Sequence, residues 1–361
     1  MKNIVLLFGG DSCEHDVSVI TALSVYNSIK EICRILPIYV KNGTFYLCKK
    51  SLKIDKIRNF SQKKFSEVAF ASGGMSMLSR KKKKIPIFCA VNCCHGGCGE
   101  NGALAGLLEN ARIPQTSPGV YQSALFMDKV FTKYFLEKKK ISVVPYRVVS
   151  KDDYDVAKEL GFPLIVKPAR QGSSIGIGVV ENEDKLPDAI DLAASFDYKI
   201  IVEKALVGFT ELNCAAYRKG KVVIVSEIEK IVSDKKYYDF DSKYVKNDVS
   251  REIPANIDEK ITDRIKNITK SLYVSSELNG VVRVDFLLSA TGKLYVNEVN
   301  TVPGSLAFYL FKGMGGFRRI VFDTIAEARR QFEEREKLIT DFSGNVLDNF
   351  DESKLDAGVK K

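Results

Sequence analysis

The stretch "GVVRVDFLLSATGKLYVNEVNTVPGS", residues 280–305, decides how the chain is read. Val282, Val284 and Phe286 alternate on one arm, and Leu294 and Val296 on a second, which is the period-two signature of paired strands. Thr291-Gly292 predicts a two-residue turn between them. That turn sets Asp285 opposite Glu298 and Arg283 opposite Asn300. Carboxylates facing each other across strands repel, and a cation between them is the simplest relief. Asn300 lies two residues beyond Glu298 and points to the same face. Two carboxylates and an amide oxygen, with no Cys or His nearby, form a hard-cation donor set of the kind Mg²⁺ shares with water and substrate phosphates. Read alone, the stretch fits a metal–phosphate site and a solvated charged face equally well, so the rest of the chain must decide.

The whole chain narrows the field. Its 361 residues suffice for two or three domains. A hydrophobic content of 45% and a charged content of 28% are ordinary for a globular protein. No apolar run reaches membrane-spanning length, and "MKNIVLLFGG" reads as a first strand rather than a leader, so a cytoplasmic protein without a membrane partner is expected. The formal charge of +10 suits anionic small substrates. Lysine runs such as "RKKKK" at 80–84 have no nucleic-acid motif beside them, and no nucleic-acid partner is expected. Eight cysteines without a secretory signal point to reduced thiols. Four of them, Cys89, Cys93, Cys94 and Cys98, cluster around His95 in "CAVNCCHGGC", but paired C-x-x-C spacing is lacking. Residues 85–94 read as a buried strand in which Cys acts as a small hydrophobe, so zinc is not expected.

The first third alternates strands (3–8, 34–40, 45–48, 85–93) with helices (16–29 and the "ALAGLLENA" stretch), and Gly-rich loops follow the strands, where α/β sheets bind ligands. Residues 49–84 are charged and weakly patterned and read as an irregular insertion. A helix over 122–139 carries Lys129. Strands over 162–169 and 199–205 follow, then two more between 211 and 230, a helix over 257–277, the hairpin, and a helix over 315–335. Residues 233–250, "SDKKYYDFDSKYVKNDVS", have the composition of a long functional loop.

"RQGSSIGIG" at 170–178 lacks the Gly-Lys-Ser/Thr of a Walker loop. Its glycines and serines suit a flap whose backbone N–H groups close on phosphates. Lys167 ends the strand before it; Lys167 and Lys129 are each either an exposed side chain or a phosphate ligand. In "GGDSCEHDVS", residues 9–18, Ser12 suits a helix N-cap and Glu14 the helix dipole, or Glu14 anchors a substrate ammonium. The chain's two histidines, His15 and His95, both follow strands of the first sheet, and a positioning role is expected.

Taken together, "LFGGDSCEHDVS", "HGGCGENGALAGLLE", "SALFMDK", "FPLIVKPARQGSSIGIGVV", "YYDFDSKY" and "RVDF…VNEVNTVPG" resemble the D-alanine–D-alanine ligases of the ATP-grasp superfamily, in that family's order and over residues 3 to about 335. The resemblance implies an α/β ATP-grasp fold with three parts and a tail: a parallel-sheet α/β domain over 1–121, a central subdomain with the phosphate flap over 122–205, a mixed-sheet subdomain with the metal site over 206–335, and a peripheral tail over 336–361. It implies ATP and Mg²⁺ as cofactors, two ions with Mn²⁺ as a substitute, held by Asp285, Glu298 and Asn300. Lys129, Lys167, Ser174 and Lys243 would hold phosphates, with Glu203 near the adenine and Glu211 at the ribose, although one extra residue separates Glu203 from Glu211. Glu14, Ser173 and Tyr244 would form a hydrogen-bonded set around the first substrate's ammonium. Arg283 and the Gly304 N–H would face an oxyanion, and His95, Tyr309 and Leu310 would line the substrate site.

The implied activity is ATP-dependent ligation of two D-alanines for peptidoglycan precursor synthesis, and a homodimer is expected. Two departures stand out. Tyr309 occupies the place of the family's carboxylate-gripping Ser, and Asn101 that of its usual Asp. An altered acceptor such as D-serine is therefore the alternative, and a catalytically idle nucleotide-binding regulator a more distant one.

Overall fold

The computed structural model describes residues 2–49, 51–78, 84–232 and 250–339, with 344 and 350. The expected loop at 233–250, with Lys243 and Tyr244, lies outside the described residues except for Ser250, and so does most of the 336–361 tail.

The first sheet forms because β1 (Asn3–Gly9) is apolar on both faces. Ile4, Leu6 and Phe8 enter one core with Val19 and Val25 of α1 (His15–Ile29), while Val5 and Leu7 enter the other with Leu104 and Leu108. β2 (Arg34–Lys41) pairs parallel to β1, and β3 (Thr44–Cys48) returns antiparallel. The expected irregular insertion at 49–84 is instead largely ordered. After the short α2 (Ile54–Arg58), β4 (Phe65–Ala71) and β5 (Gly74–Met77) extend the sheet. Only Phe65 and Val68 of β4 are buried, so the alternation was too sparse to read. The expected single strand at 85–93 is two. Ile85–Pro86 (β6) pairs with β5, and Cys89–Asn92 (β7) pairs with β1. The seven-stranded order is β6-β5-β4-β3-β2-β1-β7.

After β7 come the short α3 (Gly97–Glu100) and α4 (Ala103–Asn110). The expected helix at 122–139 is two, α5 (Val120–Met127) and α6 (Lys129–Lys138). Asp128 breaks them because its carboxylate caps α6, accepting the N–H groups of Val130 at 2.9 Å and Phe131 at 3.2 Å. An antiparallel four-stranded sheet follows, ordered β10-β9-β11-β8 from Tyr146–Val149 (β8), Leu164–Pro168 (β9), Gly178–Val180 (β10) and Ile200–Lys204 (β11), with α7 (Leu186–Ala194) on one face.

The last sheet runs β14-β13-β12-β15-β16: Thr210–Lys219 (β12), Val222–Val232 (β13), Ser250–Glu252 (β14), Val282–Leu288 (β15) and Leu294–Asn300 (β16). α8 (Glu259–Ser275) packs beneath it, and α9 (Gly316–Arg335) joins it to the first sheet through Ile320, Val321 and Ile325. Asp285 does pair with Glu298, and Arg283 with Asn300, but not by the expected turn. The loop has three residues, Ala290 to Gly292, closed by Ser289 N–H to Lys293 C=O at 3.0 Å. A β-bulge at Asn297 then restores the register, since Phe286 faces Val296 while Asp285 faces Glu298. The bulge is physically required. Leu294 and Val296 enter the core, and so does Val299 three residues on. Unbroken alternation would have driven Glu298 into that core with them.

Gly280, just before β15, takes φ +70°, and a Cβ added there would lie 1.9 Å from the Thr116 carbonyl oxygen. Gly280→Ala is therefore expected to lower stability by about 3 kcal/mol or more. Urea unfolding measures this as a fall in the midpoint.

Candidate active site

The strand ends and loops converge on two adjoining clefts. The larger is open to solvent and holds about 120 Å³ of free space. One end is apolar, walled by Ile165, Val179, Leu206, Phe209 and Leu287, and the other carries Lys129, Lys167, Ser173 and Ser174, with Glu203 and Glu211 along the wall. A flat aromatic base suits the first end and anionic phosphate the second. The smaller cleft, about 40 Å³ of free space, is lined by Glu14, Glu100 and Asn300 and shares Lys129, Gln171, Gly172 and Glu298 with the larger. Burial, then the neighbouring Glu14 carboxylate, raises the Glu100 carboxyl to about 7. A cluster this acidic favours an ammonium or a metal cation.

At the junction Asp285 is buried and held by the Arg283 fork, Nε to Oδ1 at 2.6 Å and Nη2 to Oδ2 at 2.8 Å. The Asn300 amide also donates to Asp285 Oδ2 at 3.0 Å. Glu298, opposite, lies 3.7 Å from Lys129 Nζ. The donors of Asp285, Glu298 and Asn300 share one face of the hairpin, all are oxygen-bearing, and two reach the cleft, which fits a hard divalent cation. Among the described residues no group of three His, Cys, Asp or Glu side chains gathers as a metal site. In the Cys cluster, burial raises the Cys89, Cys93 and Cys94 thiols, which keeps them protonated.

The flap and the first sheet meet directly. Ser173 Oγ donates to Glu14 Oε1. Gly172 lies so close that a Cβ there would sit 2.6 Å from Glu14 Oε2. Glu14, not Ser12, is the N-cap residue of α1; Ser12 Oγ instead accepts the Glu14 N–H at 3.2 Å and donates to the His95 carbonyl at 2.6 Å. Lys129 Nζ donates to the Gln171 carbonyl at the flap's base.

Several expected residues meet protein partners that the sequence did not show. The Glu203 carboxylate, placed near an adenine by resemblance, is gripped by two lysines, Lys167 at 2.7 Å and Lys133 at 3.0 Å. The bulge residue Asn297 adds its Oδ1 at 3.4 Å from Lys167 Nζ. His95 is buried with both ring nitrogens engaged, Nδ1 by the Val302 carbonyl at 2.6 Å and Nε2 by Thr21 Oγ1 at 2.8 Å, so it makes protein contacts where substrate contacts were expected. Burial lowers its imidazole to about 4 and keeps it neutral. The Leu310 side chain is fully buried in the core, which leaves only its backbone for a substrate. The Tyr309 hydroxyl lies 3.4 Å from Glu229, itself bonded by Asn213 at 2.9 Å and paired with Arg251 at 3.3 Å. After Gly304, three non-glycine residues in succession, Ser305, Leu306 and Ala307, take φ between +46° and +52°. Each such residue costs about 1–2 kcal/mol.

The sequence reading missed Lys133, Asn297 and Glu100. Lys133 alone had a readable signal: it lies four residues after Lys129, one helical turn on, in an otherwise ordinary lysine-rich segment.

Lys133 is fully buried, and burial lowers its ammonium against the pull of Glu203. Burial alone would raise the Glu203 carboxyl, but the facing lysines overcome this and hold it at about 2. A carboxylate held below its unfolded value stabilises the fold above about pH 4.5 and loses that contribution as pH falls toward 2. Lys133→Met leaves Glu203 with Lys167 alone. It should cost about 3 kcal/mol at pH 7 and move the acid loss to higher pH, as read by urea unfolding at pH 7, 5 and 3.

Family models described as "D-ala D-ala ligase N-terminus" and "D-ala D-ala ligase C-terminus" match residues 3–118 and 135–322. A D-alanine–D-alanine ligase from Thermosipho africanus is 39% identical, over 96% of this chain and 99% of that protein. Among solved structures, the D-alanine–D-alanine ligase from Helicobacter pylori is 28% identical with a TM-score of 0.75, covering 91% of this chain and 98% of that one. The VanG D-Ala:D-Ser ligase from Enterococcus faecalis is 29% identical with a TM-score of 0.78, covering 91% and 99%. The chain belongs to the D-alanine–D-alanine ligase family, with its ATP-grasp fold.

Proposed function

We propose that this protein joins two D-alanines with ATP through an acyl phosphate, supplying a peptidoglycan precursor. The observation that carries the reading is the junction of the two clefts. A largely apolar slot with a cationic end adjoins, at Lys129, a cleft lined by Glu14, Glu100 and Glu298.

A carboxylate is a poor acylating agent until it is phosphorylated. Lys129 and Lys167 reach the cationic end, where they would draw charge from the transferring phosphoryl group. Asp285, Glu298 and Asn300 would hold a divalent cation, magnesium or manganese, as one ion or two. When bound, it neutralises the phosphates and polarises the transferred group. Glu14, oriented by Ser173, receives the first substrate's ammonium. That places its carboxylate toward the shared wall at Lys129. The second substrate's neutral amine then attacks the acyl carbon to form a tetrahedral oxyanion, which collapses as the C–O bond to phosphate breaks; inorganic phosphate leaves and the nitrogen loses a proton to solvent. Arg283 and the Gly304 N–H are the donors we assign to the oxyanion. The buried Asp285 carboxylate holds the Arg283 guanidinium in one rotamer.

A D-serine acceptor is the second reading. Tyr309 stands where the family has Ser, and the similar VanG protein is a D-Ala:D-Ser ligase.

Mass spectrometry of products from ATP, Mg²⁺ and mixed D-amino acids should give D-alanyl-D-alanine as the main dipeptide. Phosphate release only with an unrelated acid would overturn the reading. Glu298→Gln is the cleaner metal-site variant, because Asp285 also neutralises buried Arg283. It should cut kcat by about a thousandfold with unchanged circular dichroism.

A further inference from the structure

We propose that His95, Glu100 and Thr21 are positioning residues that clamp the Thr301–Ser305 backbone from the first domain and thereby aim the Gly304 N–H. Val302 is held at both of its backbone groups. Its N–H donates to Glu100 Oε1 at 2.8 Å, and its carbonyl takes the His95 Nδ1 proton at 2.6 Å. The Ser305 N–H donates to Thr21 Oγ1 at 2.9 Å. A carbonyl can only accept, so Nδ1 carries the imidazole proton, and Nε2 must then accept from the Thr21 hydroxyl at 2.8 Å. One tautomer thus satisfies the whole chain from Val302 to Ser305. Glu100 closes it: its second oxygen takes the Gly96 N–H at 2.8 Å, beside His95.

Two features make this a clamp rather than incidental packing. Thr21, His95 and Val302 are all buried, so water does not compete for these bonds. The clamped atoms flank Gly304 on both sides, and the left-handed run of Ser305, Leu306 and Ala307 begins at the last of them. Backbone in that region persists only where its surroundings over-determine it. The clamp supplies that constraint immediately before the strain.

What the aimed amide does rests on the ligase reading; that the loop is clamped does not. Asn places an amide donor near Nδ1 of the histidine it replaces, and Gln places one near Nε2. His95→Asn therefore keeps the Val302 bond and His95→Gln loses it, at nearly equal polarity. In H95Q, kcat for dipeptide formation should fall about tenfold or more, while acyl phosphate trapped with hydroxylamine forms within about twofold of the wild-type rate, because the oxyanion arises only in the second step. H95N should recover most of the loss. Amide hydrogen exchange over residues 299–306 should quicken in H95Q and in Thr21→Val, but not in H95N. Equal dipeptide rates in H95N and H95Q, or unchanged exchange in H95Q and T21V, overturns the clamp. If the wild type makes no dipeptide, the ligase reading fails, and exchange alone decides the clamp.

Discussion

Asp285 and Glu298 face each other across two strands, and most of the site follows from how that repulsion is relieved. Asp285 is neutralised from its own strand, where Arg283 lies two residues away on the same face and binds it with both arms of its fork. Glu298 is approached from α6 by Lys129. The two acids are thus relieved by different cations on different elements, and with Asn300 they keep together the oxygen donors that a hard divalent ion takes. The Asn297 bulge is what puts them there. It shifts the phase of β16 by one residue, so Val299 fills the core while Glu298 and Asn300 face the cleft. Asn297 itself reaches Lys167 as a consequence.

A second relief works by the same logic, deeper in the protein. Glu203 sits on β11 opposite Ile165 and is gripped by Lys133 and Lys167. A buried carboxylate with one cation roughly breaks even. With two it is strongly favoured in its ionised form, and the surplus positive charge remains for whatever occupies the cleft. The group of three is therefore both a packing unit and the source of the cationic end.

How much of this was legible in the sequence follows from the range of each interaction. The hairpin could be read because Val282, Val284 and Phe286 alternate locally. The bulge could not, because Glu298 and Val299 reveal their faces only against a neighbouring strand. The pairing of Asp285 with Glu298 emerged correctly from two errors that cancelled, a loop one residue longer than expected and a bulge one residue long. β4 and β5 were missed because few of their residues are buried. Lys133 looked like any surface lysine of a helix, and its partner lies 70 positions away on strand β11. Glu14, Lys129 and Lys167 were recognisable only through motif order, since what each side chain meets is set by the convergence of separate sheets.

That convergence is also why the chemistry can depend on so few contacts. The flap touches the first sheet through Ser173 and Glu14, and the Gly304 loop touches it through Val302 and Ser305. Both contacts end on the segments following β1 and β7, two neighbouring parallel strands. The first sheet therefore serves as a common floor against which the 170–178 flap and the Gly304 loop are both registered. Under the proposed reading, a substrate held by Glu14 would be positioned relative to Lys129 and to the Gly304 amide at once, because the same floor holds all three. Preorganisation of this kind needs rigidity in the floor more than in the moving parts. The tight interlock of Ile4, Leu6 and Phe8 with α1 and α9 provides it.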